Sequence, residues 1–166
     1  MRGTWWRHVP HAGDPLFRAE PPSDGRWQRG ETVGGVYFAD SEETTWAEWY
    51  RSLAELAIPP DRQMPRDLWR WSIEVEGVAD LSGPEQLAAV GLSLPKPLRR
   101  EWPAFQKVGE GLANAGHAGV LAPSAARPAS LVLCLFRAAA KLYGAEPIPP
   151  ALTYRRPPAP PTGLLT

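Results

Sequence analysis

Apolar and polar positions along this chain fall into short runs of two periods. Trp5–Val9 is aromatic and β-prone and ends at Pro10, which predicts an early strand, and Val36–Ala39 predicts another. Asp40 or Ser41 can cap a helix reaching about Ala57, with Glu42 and Glu43 in its first turn and Pro59-Pro60 beyond its end. Trp46, Trp49, Leu53 and Leu56 recur at helical spacing and form its apolar stripe. Leu68–Val75 alternates instead, with Trp69, Trp71, Ile73 and Val75 on one face and Arg70, Ser72 and Glu74 on the other, the pattern of a half-buried strand. Pro84–Val90 predicts a short helix, and Leu98–Ala115 a longer one stopped by Gly116. Gly119–Ala122 and Ser130–Phe136 are apolar strands, and the second, apolar on both faces, belongs inside a sheet. Strands and helices alternate irregularly, so the fold class is α+β rather than a doubly wound sheet.

Two stretches break the pattern. From His11 to Gly35 the chain is loop-like, with Pro15, Pro21, Pro22 and five glycines. A loop this long inside a domain is uncommon and often functional. The last 20 residues hold seven of the 20 prolines, which predicts an extended tail over 147–166 after a domain over 1–146. Leu152, Tyr154, Leu164 and Leu165 give that tail apolar handles for packing along its own domain or a neighbouring subunit.

At 166 residues the chain is one domain's length and can bury a core without disulfides or metals. Gly and Pro make up about a fifth of it without period, which excludes collagen. Lys+Arg and Asp+Glu balance at 18 each, so no global field draws it to nucleic acid or an anionic membrane. The basic set is 15 Arg against 3 Lys, which leaves room for a local site that grips anions bidentately. Cys134 lies in an apolar run and reads as a buried thiol. No apolar stretch approaches the ~20 residues of a membrane span, and the N-terminus has no signal-peptide core, so the expected compartment is the cytoplasm. His8, His11 and His117 lack metal-ligand spacing, and no metal is expected.

Phosphate loops, dinucleotide fingerprints and nucleophile elbows are absent from the sequence. Three other segments carry candidate chemistry. Gly25-Arg26-Trp27 sets an arginine beside an aromatic in a glycine-flanked loop. Val36-Tyr37-Phe38 leads into Ala47-Glu48-Trp49, with Glu48 on the flank of the tryptophan stripe. Gly119-Val120-Leu121-Ala122-Pro123-Ser124 is a strand that delivers a serine into a proline-bounded loop.

In order, with Trp6-Arg7 before them, Gln106 in the stretch Trp102–Gly109, and Leu131-Val132-Leu133 at the end, these segments resemble the RES domain, named for Arg, Glu and Ser. The resemblance spans residues 5–136; Gln28 stands where the family usually has Asn. It implies an ADP-ribosyltransferase-like single domain, a small split mixed sheet flanked by helices. It implies a toxin that takes NAD+ as substrate, with no prosthetic group, and pairs with an Xre-type antitoxin, homo-oligomers being formed through that complex. Nucleic acid and membrane are not expected partners. The implied catalytic set is Arg26, Tyr37, Glu48 and Ser124, with Arg7 and Trp27 as further NAD+ contacts.

The residue types suit that chemistry. Arg26 offers a fork for a diphosphate, Tyr37 (with Trp27) an aromatic face for cationic nicotinamide, and Glu48 a carboxylate for an oxocarbenium-like ribose. Ser124 would orient phosphate or ribose. Three readings follow: cleavage of NAD+ to water or phosphate, transfer of ADP-ribose to a protein, and a catalytically silent module that binds an antitoxin.

Overall fold

The structure is a computed structural model and describes residues 1–137 and 142–166. Among these, the strands are β1 (Arg2–Pro10), β2 (Gly34–Ala39), β3 (Arg66–Glu74), β4 (Val78–Asp80), β5 (Gly119–Pro123), β6 (Leu131–Arg137) and β7 (Ala145–Tyr154). The helices are α1 (Glu42–Glu55), α2 (Pro84–Ala89) and α3 (Trp102–Asn114), with 3-10 turns at Pro60–Gln63 and Arg99–Glu101. One mixed seven-stranded sheet runs β4-β5-β6-β2-β1-β3-β7, larger than the small sheet expected. Among the described strands, only β4 and β5 pair in parallel. No helix among the described residues is long and apolar enough to cross a membrane.

One junction divides the sheet. β1 pairs with β3 from Arg2↔Glu74 to Pro10↔Arg66, and β2 with β6 from Gly34↔Arg137 to Ala39↔Val132. Between β1 and β2 a single pair, Trp6↔Ala39, is formed. Trp5, Val36, Phe38, Trp71, Ile73, Leu133, Leu135 and Ala145 make a core on one face that spans the division. Phe38 meets Trp71 edge-on, with ring centroids 5.2 Å apart. On the other face α1 buries Trp46, Trp49 and Leu53 against Leu68, while α3 brings Phe105 against Trp27, Val120 and Cys134.

Local chemistry accounts for α1. Ser41 is its N-cap, its Oγ accepting from Thr44 N at 3.2 Å, and Glu42 and Glu43 complement the positive end of the dipole. The helix is two residues shorter than its apolar pattern suggests: Leu56 is half-exposed, and Ala57 turns away with φ 51°. Expected Leu98–Ala115 divides into a 3-10 turn and α3, with Pro103 in the first turn where its missing N–H costs nothing.

Two strands were not expected. β4 is only three residues long. β7 lies in the proline-rich stretch and pairs with β3, so the boundary drawn between 146 and 147 falls inside a strand. Prolines 147, 149 and 150 are tolerated because β7 is the sheet's last strand. Beyond it the chain crosses α1: Tyr50 Oη donates to Pro158 O at 2.5 Å, and Leu165 N to Ala126 O at 2.8 Å.

α3 reaches the 25–28 loop through a glycine. A Cβ on Gly109 would collide with the Trp27 carbonyl. Gly109→Ala is therefore expected to destabilise by about 1–3 kcal/mol despite its better helix propensity. A thermal melt checks this; an unchanged or raised Tm would mean that this approach is not tight.

Candidate active site

A cavity of about 400 Å³ opens where β1 and β2 part, lined by Trp6, Arg7 and His8 on one side and Val36–Ala39 on the other. Arg26, Tyr37 and Glu48 line it together. Ser124 does not, but its Oγ donates to Glu48 Oε1 at 2.6 Å. The four residues expected to act together thus meet at one place.

Glu48 is held by four hydrogen bonds. Oε1 accepts from Ser124 Oγ and from the backbone N–H groups of Ala125 (3.1 Å) and Ala126 (3.3 Å); Oε2 accepts from Arg51 Nε at 2.9 Å. A carboxylate has about four acceptor positions, so Oε1 is saturated and Oε2 keeps capacity for a ligand. Burial alone would raise the Glu48 pKa, but the Arg51 charge and the Ser124, Arg51 and Ala126 hydrogen bonds outweigh it and hold the carboxyl below its usual range. Arg51 Nη1 in turn donates to Glu55 at 2.7 Å.

Ser124 departs from its expected role. It is fully buried, donates its hydroxyl hydrogen bond to Glu48, and accepts from Ala126 N (3.2 Å) and Arg127 N (3.0 Å). It positions Glu48 and has nothing left for phosphate or ribose. Arg127 Nη1 bonds Thr44 Oγ1 at 3.2 Å and Asp40 Oδ2 accepts from Leu131 N at 2.6 Å, so the loop after β5 is fastened to the start of α1.

Arg26 is 7% exposed and stands over the Phe105 ring, 5.1 Å from its centroid. Its Nη2 donates to Lys96 O at 2.6 Å, while Nη1 is buried with no hydrogen-bond partner among the described residues. A buried donor left open at a cavity wall is suited to an anionic ligand. Tyr37 Oη accepts from Trp27 N at 2.9 Å, and Gly25 packs on the Tyr37 ring so closely that a Cβ would overlap it. Burial, chiefly, raises the Tyr37 pKa far above its ordinary value, so the phenol is neutral. Gln106 Nε2 donates to Gly25 O at 2.9 Å and completes the loop's attachment.

Of the further contacts, Arg7 lines the cavity. Trp27 also lines the cavity, while its indole is 1% exposed and packs edge-on against Phe105, with centroids 5.1 Å apart. Trp6, Trp49 and Trp102 supply other aromatic surface. Gln28 is buried, with Nε2 donating to Ser23 O at 3.3 Å. Sequence reasoning missed Arg51, Arg66 and Arg137, which also line the cavity. Arg51 had a signal, since Glu48, Arg51 and Glu55 stand at helical i, i+3, i+7 spacing. Arg66 and Arg137 lie at strand ends and had none. No cluster of three or more His, Cys, Asp or Glu suited to a metal occurs among the described residues.

No curated protein matches the chain. In structure it is similar to a chain of the M. tuberculosis MbcT–MbcA toxin–antitoxin complex, with TM-score 0.79 and 21% identity over 93% of this chain and 85% of that one. Residues 4–157 match the RES domain, nearly the whole length and including β7, and the chain belongs to the RES domain family.

Proposed function

We propose that this protein is the toxin of a toxin–antitoxin pair and consumes NAD+ by breaking its nicotinamide–ribose bond. The observation that carries the reading is Glu48, an ionised, largely buried carboxylate with one oxygen still able to accept, in a cavity otherwise rich in arginine and aromatic surface. The similarity to a toxin–antitoxin complex supports the pairing. An antitoxin of Xre type, an ADP-ribosyltransferase-like fold and action in the cytoplasm complete the reading.

In this mechanism the open Nη1 of Arg26 takes the diphosphate, and the neutral Tyr37 ring lies against the cationic nicotinamide. As the C–N bond breaks, its electron pair passes to the nicotinamide ring nitrogen and cancels the positive charge there. Positive charge then develops on the ribose, opposite Glu48 Oε2, which also accepts from a ribose hydroxyl. Water or phosphate attacks the ribose carbon and yields ADP-ribose or its 1-phosphate, the attacking group losing its proton to solvent. Ser124 and Arg51 keep Glu48 ionised and aimed, so the site is preorganised before the substrate arrives.

Nicotinamide release from NAD+ by the purified protein, with and without phosphate, is the direct test. Release with either acceptor supports the reading; release only when a lysate protein becomes labelled with ADP-ribose would favour protein modification. Absence of release under all conditions would leave a silent antitoxin-binding module.

Glu48→Gln is expected to lower turnover ~10²–10³-fold with a smaller change in KM; equal turnover would remove Glu48 from the mechanism. Arg26→Lys is expected to raise KM, because a point charge cannot reproduce the guanidinium fork.

Ser124→Ala removes a hydrogen bond to the ionised carboxylate, so the Glu48 pKa rises. Activity requires the ionised form and is lost as pH falls through that pKa. The acid limb of the pH–kcat profile should therefore move to higher pH in the variant, with the alkaline limb unchanged; a uniform drop at every pH would instead signal simple misfolding.

A further inference from the structure

Residues 25–28 make a tight turn within the long loop. Gly25 N donates to Gln28 O at 3.0 Å, and Gln106 Nε2 holds the Gly25 carbonyl at 2.9 Å. The turn fixes the Gln28 side chain, which is 4% exposed and lines the cavity. Its Nε2 donates to Ser23 O at 3.3 Å. A carbonyl can only accept, so this bond identifies the nitrogen end of the amide and leaves Oε1 as an acceptor. That Oε1 is buried with no hydrogen-bond partner among the described residues. The other cavity-lining residues with a buried unpartnered polar atom are Arg7, Arg26, Trp27 and Trp102, and each of those atoms is a donor. Gln28 Oε1 is the acceptor of the set. Phosphates and carboxylates have nothing to give it; a ligand with an N–H does.

Its neighbours indicate which N–H. Gly35 and Tyr37 stand two apart on β2 and face the same side of the strand. A Cβ on Gly35 would overlap Gln28 Cγ and press on Cys134 Sγ, and Cys134 is the cross-strand partner of Tyr37. The stem of Gln28 therefore lies over Gly35, on the Tyr37 side of β2. In the proposed reaction the ring against Tyr37 is nicotinamide, which carries a carboxamide with two N–H donors on its edge.

We propose that Gln28 is a specificity-determining residue: its Oε1 accepts from the nicotinamide carboxamide and so selects the amide over the acid at that ring position. This deepens the reading of the cavity as an NAD+ site and rests on it. The arginines around the cavity attract a carboxylate. Preference for the amide therefore has to come from an acceptor, against that charge.

The test compares three dinucleotides by equilibrium binding and by kcat/KM: NAD+, its analogue with a carboxylate in place of the carboxamide, and its analogue with hypoxanthine in place of adenine. The full chain is expected to favour NAD+ over the acid analogue by ~100-fold or more, because a buried polar group built for a hydrogen bond rejects the ligand that lacks it. Gln28→Met, similar in length but without the acceptor, should lower that ratio about tenfold or more. Gln28→Glu keeps an acceptor and should keep the ratio. Neither replacement has the amide nitrogen that bonds Ser23, so a merely structural role would move both alike. The ratio of NAD+ to the hypoxanthine analogue should be the same in all three proteins. If Gln28→Met does not fold, Gln28→Leu takes its place.

Equal use of NAD+ and the acid analogue by the unmodified chain would overturn the proposal while leaving NAD+ cleavage standing. An unchanged ratio in folded Gln28→Met, or equal shifts in Gln28→Met and Gln28→Glu, would do the same. A Gln28-dependent ratio for the hypoxanthine analogue alone would place Oε1 at the other base and overturn it as well. Failure to bind or cleave any of the three would remove the NAD+ reading, and this inference with it.

Discussion

The single backbone pair between β1 and β2 is the constraint on which this molecule turns. A seven-stranded sheet with every ladder complete would be closed along its length, with no room at its centre. Here the two strands meet at Trp6↔Ala39 and then part, and the backbone edges that face each other beyond that point need other partners. Arg7 turns back onto the His8 carbonyl and also holds the Phe17 carbonyl of the long loop, while Arg137 Nη1 takes the adjacent Leu16 carbonyl at 3.2 Å. The opening is thereby lined with guanidinium groups. The same feature that interrupts the sheet supplies both the space and the charge of the site.

Into that opening α1 delivers one carboxylate whose surroundings decide its chemistry. A buried glutamate left alone would take up a proton. Glu48 stays charged because the loop after β5 gives it two backbone N–H groups and a serine hydroxyl, and the next turn of its own helix gives it Arg51. The loop is itself held by Asp40, Thr44 and the chain's last residues, through Leu165 N on the Ala126 carbonyl. Electrostatic stabilisation of a developing cation depends on a charge that need not reorganise when the bond breaks. The proline-rich end of the chain thus contributes to site rigidity from outside the cavity.

Much of this was legible in the sequence where one side chain reports its own environment. The Trp46/Trp49/Leu53 stripe gave α1 its buried face, the alternation of β3 gave its sides, and Arg26, Tyr37 and Glu48 stood in short motifs that the fold brings together. What escaped depends on pairs. Ser124 looks like a ligand contact until its hydroxyl is found donating to Glu48, and Trp27 looks like a stacking platform until Phe105 is found against it. β7 was obscured by its prolines, which argue against a central strand and are silent on an edge one. Arg66 and Arg137 gave no sign because a strand-end arginine has the same sequence signature whether it faces water or a cavity.

The same distinction bears on how the site distributes its charge. Arg51 is matched by Glu48 and Glu55 and serves to hold an anion of the protein itself. Arg26 has one Nη on a neutral carbonyl and the other open. Arg7 and Arg66 have neutral acceptors throughout. Along this series the guanidinium groups become progressively less compensated by the protein. A group compensated internally contributes mainly to the site's geometry, whereas one left uncompensated favours a ligand that brings the missing charge. Glu48, the carboxylate that lines this cavity, is held by four hydrogen bonds. In this arrangement the least compensated arginines stand apart from the Glu48 carboxylate, which stays fixed by Ser124, Arg51 and the backbone of the loop after β5.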